Sequence, residues 1–269
     1  SKIVSYMAGD QDFISPIMSN PENVYQLGSN AYAKPATALN ILRETVMGRE
    51  IFDNAFKAYA KRWMFKHPTP EDFFRTMEDA SAVDLDWFWR GWFYSTDWVD
   101  IGVRDVKKYS LQDKPGPNVN KILETYGMTI EDLPPMVFMS EKDSLQENNV
   151  TIENSPLLKE YLEENPSNET AILPKYIYEI EFEKPGGLVM PIIVEYSYAD
   201  GSVERVTYPP QVWRKNDVSL RKVVATDKEL IGVMVDPDLE TADIDTSNNS
   251  WPKEEIISDF EKFKEKLKG

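Results

Sequence analysis

The chain contains no cysteine and a single histidine, His67. Without cysteine it forms no disulfide bond, no thiolate metal site and no thiol nucleophile. A zinc site with two histidines on one helix is excluded, and no nucleophile motif accompanies His67 for a serine-type triad. His67 precedes Pro68 just past a predicted helix end, so we expect it to be a surface or turn residue.

Long apolar runs and excess positive charge are also missing. No apolar run reaches the roughly 20 residues that span a bilayer, so no membrane span is expected. The 46 acidic residues outnumber the 30 basic ones and give a net charge of −16. This charge argues against a nucleic acid or an anionic membrane as partner. A chain of 269 residues is expected to form one large or two ordinary domains.

Helix signals are concentrated between residues 32 and 100. Four helices are predicted, beginning near residues 35, 50, 69 and 84. Pro35 suits a first turn, and the stretch from Thr69 to Asp72 is typical of a capping box. The apolar residues recur at three- and four-residue spacing and are interpreted as core. They are Ala38, Leu39, Leu42 and Val46; Phe52, Ala55, Phe56, Tyr59, Ala60, Trp63 and Met64; Phe73, Phe74 and Met77; and Leu85, Phe88, Trp89, Trp92 and Phe93.

The middle of the chain is rich in proline, asparagine and glutamate. A short strand is predicted near residues 101–106, followed by short helices at Val119–Tyr126 and Pro156–Glu164. Acids dominate residues 141–169. We interpret this segment as a solvated linker or insertion, because its carboxylates lack the regular spacing of a calcium loop.

Residues 175–236 follow the two-residue periodicity of β-strands. Pro191 indicates an edge strand or a bulge, and Asp200-Gly201 indicates a hairpin. The set is typical of a β-sandwich. The predicted strands are 176–182, 188–198, 203–208, 220–225 and 230–235. An acidic run follows, for which a solvated turn is preferred over a calcium site; it comprises Asp236, Asp238, Glu240, Asp243 and Asp245.

The fold is therefore predicted to be α+β and multidomain. Residues 1–105 are expected to be helical, 106–174 to be a linker or insertion with short helices, and 175–250 to be an antiparallel β-sandwich. Residues 251–269 are expected to form a C-terminal helix, because their apolar residues lie on one helical face.

Several short motifs occur in a fixed order along the helical stretch. They are Tyr32-Ala33-Lys34, Ala38-Leu39, Leu42-Arg43, Gly48, Phe52, Tyr59, Phe65-Lys66, Asp72-Phe73, Met77-Glu78, Asp84-Leu85, Phe88 and Trp92. This order resembles the C-terminal half of the thermolysin-like catalytic domain in alanyl-aminopeptidase-like gluzincin zinc metallopeptidases, in particular a bacterial subgroup. The β block with Trp213-Arg214 resembles the β-sandwich domain that follows in that family.

The resemblance implies a catalytic role for Tyr32. In the family, a zinc-bound water attacks the scissile carbonyl of a peptide, and the tyrosine that matches Tyr32 donates a hydrogen bond to the resulting oxyanion. Phenols have a reference pKa near 10 and stay protonated at neutral pH, so they can donate. The spacing of Tyr25 does not clearly match a second site tyrosine, and Lys34 is expected to cap or pair structurally.

The sequence also lacks several motifs that are typical of the family. The H-E-x-x-H zinc motif, its third glutamate ligand and the glycine-rich exopeptidase motif are missing, and all lie upstream of the tyrosine in relatives. The chain is thus expected to be the C-terminal part of a larger peptidase, with zinc and peptide substrate bound only by the intact enzyme. The upstream zinc-binding subdomain is its expected partner, and an apolar face should be exposed where that subdomain packs.

Two other functions stay open at this stage. The first is a non-catalytic scaffold or peptide-binding module with a metallopeptidase-like architecture. The second is a metal-free hydrolase that uses Tyr32 and His67, for which no motif is present. The resemblance to exported bacterial relatives favours a periplasmic or exported location.

Overall fold

A computed structural model of the protein describes residues 2–112, 117–129, 132, 138–141 and 174–253. Helices occupy the first part of the chain, and two antiparallel β-sheets form the second. The prediction of an α-helical subdomain followed by an antiparallel β-sandwich is confirmed. None of the helices in these ranges has the length and apolarity needed to cross a membrane.

Six α-helices lie in the described part of the chain, and we call the first five the helical block. They are α1 (Lys2–Met7), α2 (Lys34–Ile41), α3 (Arg49–Trp63), α4 (Pro70–Ser81), α5 (Asp86–Tyr94) and α6 (Pro117–Tyr126). Two π-helical segments, Ser29–Ala33 and Leu42–Val46, flank α2 and extend it in both directions. Helical structure begins at Leu27, eight residues before the predicted start at Pro35.

The local signals at helix ends are confirmed. At the start of α4, the Thr69 N–H donates to Asp72 Oδ2 over 2.9 Å, as the capping box requires. The predicted end of α6 at Gly127 coincides with a left-handed backbone at that residue, where φ is +65°. Both features depend on a few neighbouring residues, which explains why the sequence predicts them well.

The core of the helical block is confirmed at α5 but not along all of α3. Phe88, Trp89, Trp92 and Phe93 are buried, as predicted. On α3, Phe52 and Ala55 are buried, and Trp63 is half-buried, with its indole N–H donating to Thr76 Oγ1 over 3.3 Å. Tyr59 is half-buried, with its ring centroid 4.9 Å from that of Phe73, whereas Phe56 is exposed by 43%, Met64 by 57%, and Ala60 is exposed as well. That part of the prediction is wrong, because α4 packs against α3 from one side and no described element covers the other.

Within the described ranges, eight strands form the two sheets. The strands are β1 (Gly102–Gln112), β2 (Phe138–Glu141), β3 (Tyr176–Glu183), β4 (Ile192–Tyr198), β5 (Val203–Tyr208), β6 (Ser219–Thr226), β7 (Leu230–Val235) and β8 (Ser250–Trp251). The first sheet has the order β2-β1-β3-β6, and the second has the order β5-β4-β7-β8. Most of β1 and all of β2 come from the segment that was predicted to be a linker, so this segment supplies two strands to the first sheet.

The two sheets face each other across an apolar core. Tyr178, Ile180 and Phe182 of β3 meet Val194 and Tyr196 of β4 within one buried cluster. Gly201 turns the β4–β5 hairpin with φ +81°, as Asp200-Gly201 predicted. Pro191, in contrast, precedes β4, which is an inner strand between β5 and β7. The prediction of an edge strand or bulge at Pro191 is wrong because the proline lies outside the hydrogen-bonded ladder.

The acidic run after β7 differs in part from the predicted solvated turn. Asp236 and Asp243 are buried, and Asp236 accepts hydrogen bonds from Glu240 N and Thr241 N at 2.7 and 3.0 Å. Asp238, Glu240 and Asp245 are exposed, so the prediction of a solvated turn holds for these three residues and is wrong for Asp236 and Asp243. Trp251 pairs with Val233 as a strand, and the predicted helices at 156–164 and beyond residue 253 lie outside the described residues.

The helical block joins the sandwich through residues 95–100, which we call the junction segment. The Trp98 N–H donates to Gly186 O over 3.0 Å, and the Leu188 N–H donates to Trp98 O over 3.2 Å. A Cβ atom on Gly186 would lie 2.3 Å from Trp98 O, so only glycine permits this approach. One continuous apolar core runs from the helices into both sheets.

Candidate functional site

Tyr32 lies in the π-helical turn Ser29–Ala33 and is the predicted catalytic residue. Its side chain is 73% exposed, and its hydroxyl makes no hydrogen bond to the described residues. The phenol therefore points into solvent from a helical turn, with its donor unused by this part of the chain. The sequence had indicated that Tyr32 precedes a helix, whereas it lies inside one.

A wide helical turn precedes Pro35. Pro35 lacks an N–H, so the carbonyl of Ala31 receives no ordinary helical hydrogen bond from it. The turn before it closes instead by a π-type bond from Lys34 N–H to Ser29 O. Single π turns inside helices occur frequently at functional sites.

Two buried polar side chains, those of Asn30 and Lys34, anchor this turn through hydrogen bonds on its buried side. The Asn30 amide donates to Ser15 O over 2.6 Å and to Pro16 O over 3.3 Å. The Lys34 ammonium donates to Ser95 O over 3.2 Å. Burial lowers the pKa of Lys34 to about 8, and the nearby Asp97 carboxylate opposes that change. The predicted structural role of Lys34 agrees with these contacts.

Exposed apolar side chains precede Tyr32 in the chain. Phe13, Tyr25 and Leu27 each expose about half of their surface or more. The Phe13 and Tyr25 rings meet edge to face, with centroids 5.5 Å apart. Tyr25 thus packs on Phe13, and the structure places no ring contact between Tyr25 and Tyr32. His67 is exposed between α3 and α4, as the sequence predicted.

One group of carboxylates in the described part of the chain has the spacing of a cation site. Ligand oxygens of Glu78, Asp84 and Asp86 lie within 4.8 Å of one another. The Leu85 N–H donates to Glu78 Oε1 over 2.9 Å, and the Asp86 N–H donates to Asp84 Oδ1 over 3.3 Å. Burial, together with the two aspartates, raises the pKa of Glu78. These hydrogen bonds to backbone N–H groups at the entry to α5 account for the group, and we assign no ion to it; the sequence had not pointed to it.

Two clefts border this acidic group. The smaller, of about 300 Å³, lies where the start of α5 meets the sandwich, and its walls include Trp87 and Trp213. Arg214 reaches Asp84 across its rim at 3.6 Å. The larger, of about 500 Å³, runs between α4 and α5 over the stacked rings of Phe74 and Trp89. Neither cleft is lined by Tyr32.

Comparisons with known proteins do not establish a family. No known protein family and no curated protein match the sequence. Among solved structures, the chain is similar to a crystal structure of Legionella pneumophila aminopeptidase A in complex with aspartic acid, with 12% sequence identity and a TM-score of 0.41. That likeness covers 80% of this chain and 17% of the length of that one. We draw no conclusion about family or activity from so weak a likeness.

Proposed function

We propose that this chain is the C-terminal part of a zinc-dependent aminopeptidase of the gluzincin type, in which Tyr32 stabilises the tetrahedral intermediate of peptide hydrolysis. The observation that supports the proposal most is the state of Tyr32. Its phenol is exposed and unpaired, while the turn that bears it is anchored by Asn30 and Lys34. An oxyanion donor needs this combination of a free donor and a fixed backbone.

In this proposal the metal and this chain have separate tasks. Zinc would polarise the scissile carbonyl and generate the attacking hydroxide. Tyr32 would donate its hydroxyl proton in a hydrogen bond to the oxygen on which negative charge develops. A two-histidine zinc site needs ligands from outside this chain, which contains only His67. We therefore expect this chain alone to hold no catalytic zinc and to hydrolyse no peptide.

The partner in this proposal is the upstream zinc-binding subdomain of the same polypeptide. Residues 1–105 would complete that catalytic domain, and the sandwich would follow it. The exposed side chains of Phe13, Tyr25 and Leu27, which precede Tyr32 in the chain, support an apolar contact surface for that subdomain. In the chain without the upstream subdomain, this surface should bind an apolar dye or cause dimerisation, because exposed apolar groups of this kind favour association. A monomeric chain that binds no dye would contradict this part of the proposal.

A second candidate is a non-catalytic module that binds peptides. The cleft between Trp87 and Trp213 favours it, because aromatic walls with the charged rim of Asp84, Asp86 and Arg214 suit a peptide side chain. In that case binding of a peptide would depend on the cleft and would be unaffected by substitution of Tyr32.

The experiment that tests the first candidate is substitution of Tyr32 by phenylalanine in the complete reading frame. Tyr32→Phe removes the donor and keeps the ring, so kcat should fall by roughly 100- to 1000-fold, as for other oxyanion donors. Zinc content and KM should change little. Tyr126→Phe is the matched control, because Tyr126 is similarly exposed, by 75%, but lies on α6 outside the helical block, and it should retain activity. An undiminished kcat in Tyr32→Phe would refute the assignment.

A further inference from the structure

The π turn that carries Tyr32 is tied to two distant parts of the chain. Lys34 is completely buried, and its ammonium donates to the carbonyl of Ser95, 61 residues away in the sequence. Asn30 is also buried, and its amide donates to the carbonyl of Ser15. One anchor thus connects the turn to the end of α5, and the other connects it to Ser15 in the segment that follows α1.

A buried lysine with these contacts is not expected to stabilise the fold by much. Removing an ammonium group from water is costly, and within the described residues Lys34 Nζ makes one hydrogen bond in return, to Ser95 O. Asp97 offsets part of the cost through its charge, yet burial remains the larger effect on the Lys34 pKa. Replacing a buried charged group by a well-packed apolar one is often neutral or stabilising. The position of the amine therefore suggests a role beyond stability.

The spacing of Asn30, Tyr32 and Lys34 points to a role in orienting the phenol. Asn30 and Lys34 are four residues apart, which places them on the same side of the helical turn. Tyr32 lies midway between them in the sequence, and its exposure shows that it points away from the buried side. The backbone N–H of Lys34 also closes the π turn by donating to Ser29 O. Both ends of the turn are consequently fixed on the side opposite the phenol.

We propose that Asn30 and Lys34 are positioning residues that fix the direction of the Tyr32 phenol. This inference rests on the proposed role of Tyr32, and it deepens that role by naming what holds the donor in place. A donor aimed by two buried anchors needs no reorganisation when charge develops on the oxyanion, which is the physical basis of such stabilisation.

The test reads the environment of position 32 directly in this chain. A 4-fluorophenylalanine at position 32 gives one fluorine resonance that reports the ring and does not titrate itself. Lys34→Met keeps the length of the side chain and removes its donor. We expect the chain to fold, but with the fluorine resonance shifted and broadened. Lys108→Met is the matched control: the side chain of that lysine is also largely buried, but it lies on β1 in the sandwich and pairs with Glu229. It should leave the resonance unchanged.

A second variant covers the possibility that Lys34→Met does not fold. Asn30→Ala removes the other anchor and leaves Lys34 in place, and it should alter the same resonance in the same direction. An unchanged resonance in either folded variant would overturn the proposal. Because this measurement needs no catalysis, its failure would leave the peptidase proposal standing. Conversely, a zinc-free parent protein would refute the peptidase proposal and still allow the anchoring to be observed.

Discussion

Gly186 is the position where the connection between the helical block and the sandwich is tightest. In Gly186→Ala, the new Cβ would lie 2.3 Å from Trp98 O and 2.8 Å from Asp100 N, both backbone atoms of the junction segment. Neither atom can rotate away as a side chain would. Relief requires the two segments to separate, which lengthens the bonds from Trp98 N to Gly186 O and from Leu188 N to Trp98 O.

The expected cost follows from these contacts. Overpacking of a rigid site costs about 1–3 kcal/mol, and each weakened backbone hydrogen bond adds about 1 kcal/mol. We therefore expect Gly186→Ala to lower the free energy of unfolding by about 3–5 kcal/mol. Urea unfolding followed by tryptophan fluorescence would measure this as a midpoint lowered by about 1 M or more.

Gly28→Ala is the matched control for the same substitution. Gly28 has helical backbone angles, φ −62° and ψ −39°, and no heavy atom lies within 4 Å of its Cβ position. Alanine there should be neutral or stabilising by about 0.5–1 kcal/mol, because it restricts the unfolded chain. Equal urea midpoints for Gly186→Ala and the unsubstituted chain would refute the close approach at the junction segment.

Two further predictions concern the sandwich. Burial raises the pKa of Asp243 to about 7 from an ordinary value of 3.8. Between these values the folded chain holds a proton that the unfolded chain has released, so this group makes the free energy of unfolding fall as pH rises from about 4 to about 7. Asp243→Asn should remove that contribution, up to about 1.4 kcal/mol per pH unit, and parallel pH profiles of the two chains would contradict it. Separately, Tyr178 Oη accepts a hydrogen bond from Leu230 N over 2.9 Å in the core. Tyr178→Phe leaves the Leu230 N–H without its acceptor and should lower the free energy of unfolding in urea by about 1–3 kcal/mol. Tyr176→Phe on the same strand should cost little, and equal losses in the two variants would argue against the buried bond.

The sequence predicts features that depend on neighbouring residues, but it does not predict features that depend on tertiary contacts. The capping box at Thr69 and the hairpin at Asp200-Gly201 depend on a few neighbouring residues, and both are confirmed. The exposed stripe of α3 could not be predicted, since helical periodicity identifies an apolar face but not whether another element covers it. Phe56 and Met64 carry the same signal as the buried Phe52.

At the candidate site, too, the features that depend on tertiary contacts could not be predicted from the sequence. Tyr32 emerges from the sequence only through the resemblance to a family, because an isolated tyrosine has no motif of its own. The anchors Asn30 and Lys34 were not recognised as a pair, since their acceptors, Ser15 and Ser95, lie 15 and 61 residues away. The burial of Asp243 was missed for a similar reason: its carboxylate accepts from Ile101 N, which belongs to a distant segment. Long-range contacts of polar groups leave little trace in a single sequence.

The most direct test of the proposed function is to read the coding frame upstream of Ser1. If Tyr32 serves a zinc aminopeptidase, that frame should encode an H-E-x-x-H motif followed by a further glutamate, the ligands that this chain does not contain. A frame that begins at or near Ser1, or one that continues upstream without metal ligands, would contradict the peptidase proposal. The helical block and the sandwich would then have to be explained as a peptide-binding module.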